Sequence, residues 1–72
     1  MNTKDVIEYM IALVNEFAKE CGLTDREAFR YMKRFGAIDF FIEHYNVAHT
    51  QSFADMVDVA KEFCRKNGGE IA

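Results

Sequence analysis

Two segments of this chain, residues 3–21 and 53–66, each gather their apolar side chains into one helical arc about 160° wide, at ~100° per residue. In the first these are Val6, Ile7, Met10, Ile11, Leu13, Val14, Phe17, Ala18 and Cys21, while Lys4, Asp5, Glu8, Asn15, Glu16, Lys19 and Glu20 fall outside the arc. In the second they are Phe53, Met56, Val57, Val59, Ala60, Phe63 and Cys64. Stripes this broad must be covered from more than one direction. The chain has no proline, and Gly22, Gly36 and Gly68 each follow a helical pattern, where a left-handed glycine closes a helix.

Between the long segments lie two shorter helical patterns. "LTDRE" is a capping box, in which Thr24 accepts from the amide of Glu27 and Glu27 reaches back to the amide of Thr24. Ala28, Phe29, Met32 and Phe35 form the apolar face that follows, and Gly36 stops it. Ile38 to His44 predicts a short helix with Ile38, Phe41, Ile42 and Tyr45 on one side, Asn46 as its left-handed terminator and Val47 extended beyond it. The expectation is an all-α, compact four-helix domain: two long helices, one medium and one short. The long pair packs together, the other two close the open side, and residues 68–72 fray.

At 72 residues the chain forms a single domain near the lower size limit for a self-sufficient core. Seven Phe and three Tyr supply dense burial without staples. Cys21 and Cys64, with no close Cys pair, suit a reducing cytosol better than a disulfide scaffold. Lys4, Asp5 and Glu8 leave no apolar core for an export signal, and the longest apolar run, residues 9–14, is far short of a membrane span. A cytoplasmic location is therefore expected. The net charge of −3 argues against a general nucleic-acid binder.

Residues 45–52, "YNVAHTQS", break the apolar period with an uncharged polar row. On one reading His49, Thr50, Gln51 and Ser52 bind an anion at the start of the last helix, with His49 as proton donor or metal ligand. On the other, Thr50 or Ser52 is the N-cap, Ser52 and Asp55 form a weak capping-box analogue, and His49 packs inward, bonded to backbone. Asp39 either caps the third helix or orients His49, with capping favoured. Ser52 and Cys64 are nucleophiles by type only, with no elbow or oxyanion motif around them. Cys21, Cys64, His44 and His49 lack the local spacing of a zinc site. No catalytic residue, metal or cofactor is expected.

Arg26, Arg30, Lys33 and Arg34 share an arc of roughly 100° opposite the apolar face of their helix. They are opposed in that segment only by Asp25 and Glu27, so the acidic excess of the chain lies elsewhere. This face, with Tyr31 at its flank, either grips a phosphate or an acidic partner or is a solvated face balanced by pairs such as Glu27–Arg30. Phe40 lies off the side shared by Ile38, Phe41 and Ile42, and so either bridges two neighbours or stays exposed as a docking ring.

The capped "LTDREAFRYMKRFGAIDFF", then "YNVAHTQSF", then an amphipathic helix ending in "CRKNGG" resembles a family of small bacterial domains of unknown function. Its members carry an Ile-Asp element followed by Tyr-x-Val-x-His-Thr-Gln. Ile38, Asp39, Tyr45, Val47, His49, Thr50 and Gln51 match it, while Asn46 stands where Asp is commoner and Ala48 where a larger residue is frequent. The resemblance carries no activity. It implies a partner or antitoxin role, because genes of such domains often neighbour genes for toxin-like proteins resembling ADP-ribosyltransferases. The leading expectation is a non-enzymatic protein-interaction module, acting on another protein or on a second copy through the cations of the helix that follows "LTDRE" or through the corner between the short third helix and the last one. The alternatives are a nucleic-acid-binding regulator using those cations and a small ligand or catalytic site around His49.

Overall fold

The computed structural model describes residues 2–70, and in these the chain is all-helical. The helices are α1 (Thr3–Cys21), α2 (Asp25–Arg34), α3 (Ala37–Glu43), α4 (Tyr45–Ala48) and α5 (Phe53–Lys66). They are five rather than four, because the stretch expected to be extended at Val47 closes into one further helical turn. The amides of Val47 and Ala48 both donate to the carbonyl of His44, at 3.1 and 2.9 Å. Asn46 is accordingly not a left-handed terminator, since no non-glycine residue among those described has positive φ.

Local chemistry explains the boundaries. Asn2 caps α1 by accepting from the amide of Lys4 at 2.9 Å, and Gly22 ends it at φ 69°. The capping box of α2 is complete: Thr24 Oγ1 accepts from the Glu27 amide at 3.1 Å, and Glu27 Oε1 accepts from the Thr24 amide at 2.9 Å. Gly36, at φ 83°, turns the chain directly from α2 into α3, its carbonyl accepting from the Phe40 amide at 3.0 Å. That glycine is the first residue of the turn, so the expected cap by Asp39 does not form. Asp39 instead meets Lys33 Nζ at 3.3 Å across the α2–α3 corner.

The long helices do pack together. α1 contacts α2, α3 and α5, and α5 also meets α2 and α3. Leu13, Phe17, Met32, Phe41, Ala60 and Cys64 form the centre of the core. Burying a side chain such as Leu or Phe stabilises by roughly 1.5–3 kcal/mol.

The end of α5 is stitched down. Asn67 Nδ2 donates to the carbonyl of Phe35, the residue that ends α2, at 3.1 Å. Gly69 is buried, and its amide donates to the Cys64 carbonyl at 2.8 Å. Fraying from residue 68 is thus resisted as far as Gly69, while residues 71 and 72 lie outside the described residues. No helix among those described is long and apolar enough to cross a membrane.

Candidate functional site

The polar corner is built by packing rather than by chemistry. Tyr9 of α1 stacks on Phe53 at 5.5 Å and meets Tyr45 edge-on at 5.5 Å, which pins α4 and the start of α5 to α1. Ser52 is the N-cap of α5, its Oγ accepting from the Asp55 amide at 3.1 Å. Thr50 donates its hydroxyl to the Val47 carbonyl at 2.7 Å, and Gln51 Nε2 donates to Thr50 Oγ1 at 3.2 Å.

His49 does not pack inward as the capping alternative required. It is exposed, its ring lies flat on Tyr45, and Nδ1 sits 2.8 Å from the Tyr45 carbonyl. The core position of this turn is taken by Ala48, and His49 follows it as the C-cap. Asp39 pairs with Lys33, and His49 with Tyr45, so the two are not brought together. Cys64 is fully buried, and burial, with Cys21 nearby, pushes its thiol up to about 11, the opposite of an activated nucleophile. Among the described residues, no three of His, Cys, Asp and Glu are grouped so as to hold a metal ion.

The basic face is exposed throughout: Arg26, Arg30, Lys33 and Arg34 all reach solvent. The expected Glu27–Arg30 pair does not form; Glu27 Oε1 instead accepts from the Thr24 amide. Thr24 also holds the Glu27 carboxyl below the usual glutamate range, through its backbone amide first and its side chain second. Arg34 lies over the Phe35 ring at 5.4 Å. Tyr31 packs between Phe17 and Phe35 and borders a hollow shared with Arg34. Phe40 is half-buried and bridges α3 and α5 through Phe63, at 4.5 Å, with His44 beside it at 4.6 Å. It is therefore no free docking ring.

The feature that sequence reasoning missed is an apolar groove of about 600 Å³ where α1, α2 and α3 meet. α1 supplies Val6, Ile7, Met10, Ile11 and Val14; α3 supplies Ile38 and Ile42; α2 supplies Phe29, with Asp25 and Arg26 at its rim. The eight apolar residues lie on apolar helix faces, but Ile7, Ile11, Phe29 and Ile42 keep 53%, 66%, 48% and 40% of their surface exposed. The breadth of the α1 stripe was the available signal. Its neighbours cover one flank and leave Ile7 and Ile11 uncovered. A second hollow of about 320 Å³ borders Val47, Met56 and Val59 beside α4.

These features define a small all-helical domain with a greasy cleft on one side and a basic helix edge beside it. The chain belongs to the DUF3791 family, proteins of unknown function, whose model matches residues 8–67. No curated protein and no solved structure matches it.

Proposed function

We propose that this chain is a small, non-enzymatic protein-interaction module of the cytosol, docking a partner in the groove between α1, α2 and α3. The single observation that carries this reading is the convergence of Ile7, Ile11, Phe29 and Ile42, all substantially exposed, on one concave surface. Apolar side chains scattered singly on a surface call for no partner, whereas a contiguous concave set does. The free thiols of Cys21 and Cys64 suit a reducing compartment. A neighbouring toxin-like enzyme is the partner that the sequence resemblance suggests, which would make this chain its antitoxin-like companion.

The test is co-expression with the product of the adjacent gene, followed by affinity purification and sizing. Native chain is expected to form a stoichiometric complex, and Ile11→Asp and Phe29→Asp to abolish it while keeping native helical circular dichroism. Complexes that survive both substitutions would move the docking site off this groove. Arg26, Arg30, Lys33 and Arg34 taken alone would also suit a phosphate backbone. Arg26 lines the apolar cleft, which favours a protein surface, since nucleic-acid grips on one helix face are usually joined by a second basic element.

A further inference from the structure

We infer that the occupant of the groove is an amphipathic helix of a different protein, its apolar stripe edged with Asp or Glu on the side that meets α2. This rests on the docking reading above and adds the secondary structure and charge of the partner.

Secondary structure follows from the walls. Every wall is a helix, whose backbone groups beyond the terminal turns bond within the helix, and the first turn of α2 is closed by its capping box. No sheet edge is offered, so an extended peptide would bring backbone donors and acceptors into an apolar cleft with nothing to pair them. A helix arrives with its own backbone satisfied. The stretch of α1 from Val6 to Val14 is about 12 Å long at 1.5 Å per residue, enough for apolar anchors spaced i, i+3 or i+4, and i+7.

The charge follows from the rim. Counting around α2 from Phe29, Lys33, Arg26 and then Arg30 lie on the outer side next to the groove, while Glu27 points away toward the cap. Lys33 is engaged by Asp39, but neither Arg26 nor Arg30 has a carboxylate within ion-pair distance among the described residues. Arg26 lines the cleft and Arg30 follows it around the helix, while Asp25, the one carboxylate on that rim, is held by Asn15 Nδ2 at 3.1 and 3.3 Å; the free guanidinium groups can bind carboxylate in a planar fork.

A second copy of this chain fits less well. Its own groove face presents the same arginines, and the one carboxylate there, Asp25, is taken up by Asn15. Its carboxylate cluster of Glu16, Glu20 and Asp58 lies on the α1/α5 side around Ala54, with no large apolar stripe between the acids.

The experiment is selection of a phage-displayed library of helical peptides about 16 residues long, the length of some four turns, against the native chain. Peptides that also bind Ile11→Asp are removed. Enriched sequences are expected to carry the i, i+3/i+4, i+7 apolar pattern with Asp or Glu along one edge. A synthetic winner should bind the native chain about tenfold more tightly than the Arg26→Glu/Arg30→Glu variant, and more weakly as salt rises. Its Lys-for-Glu version should prefer that variant over the native chain. Winners without acidic edges, or of extended type, would overturn the inference and leave groove docking intact. No enrichment over Ile11→Asp would overturn both. A native dimer by sedimentation that Ile11→Asp dissolves would name a second copy as the occupant and overturn the inference.

Discussion

The imidazole of His49 lies 4.5 Å from the ring of Tyr45, within 10° of parallel, and the same histidine bonds the Tyr45 carbonyl through Nδ1. One side chain thus clamps both ends of a single helical turn. His49→Ala should cost about 1 kcal/mol, the range of an exposed ring contact plus one hydrogen bond. Asp39→Asn should leave the His49 ring resonances unmoved, because Asp39 pairs with Lys33 instead. Chemical denaturation and NMR spectra of the two variants check both outcomes.

Ile11 and Leu13 stand two residues apart on α1 and face opposite fates: Leu13 is fully buried and Ile11 is 66% exposed. Leu13→Ala should destabilise by about 2–5 kcal/mol through the cavity it leaves. Ile11→Ala should stay within about 0.5 kcal/mol of the native chain. Equal losses in urea titrations would mean that the groove is filled in solution.

Acid should weaken the fold through its glutamates. Glu27 is held below the ordinary value of 4.5 by Thr24, and Glu62 by its hydrogen bond from Arg65, with Arg65 and Lys66 charges adding to it. A carboxyl whose folded pKa is depressed contributes stability that is fully present above its unfolded pKa and is lost as pH falls through the folded one. The melting temperature should therefore drop as pH is lowered from above 4.5. Thr24→Ala should cost about 1 kcal/mol at neutral pH and shrink this acid-dependent part. Thermal melts across the acid range measure it.

The two thiols should react very differently. Cys64 is enclosed and its thiol is pushed up to about 11, whereas Cys21 is half-buried and its rise, from burial first, is opposed by nearby Lys61. Iodoacetamide should label Cys21 in the native protein and Cys64 only after unfolding, read by mass spectrometry of digests.

Gly69 has no room for a side chain. A Cβ there would collide with the Tyr31 hydroxyl and stand 2.9 Å from the Cys64 carbonyl, which is backbone and cannot swing aside. Gly69→Ala should destabilise by about 1–3 kcal/mol in equilibrium denaturation.

What could be read from the residues alone divides along physical lines. The capping box at Thr24 and Glu27, and the glycine stops at Gly22 and Gly36, depend on contacts within a few residues, and they formed as read. Ser52 was one of two candidates for its cap, and the structure selects it. α4 was missed because a four-residue turn has too little periodicity of its own and depends on Tyr45 packing against Tyr9, 36 positions earlier. Asp39 was misplaced because Gly36 lets α3 begin with hardly a break after α2. The groove was hidden for a related reason. A stripe tells how much of a helix prefers to be covered, and only the tertiary arrangement tells which part of it goes uncovered.

The carboxylate of Glu27 has a second effect, felt on a part of α2 it does not touch. Recruited to start the helix, it keeps its negative charge but makes no ion pair with Arg30, whose guanidinium stays available to a partner. Helix nucleation and surface potential therefore hang on one glutamate, and a substitution at position 27 would alter folding and partner choice together.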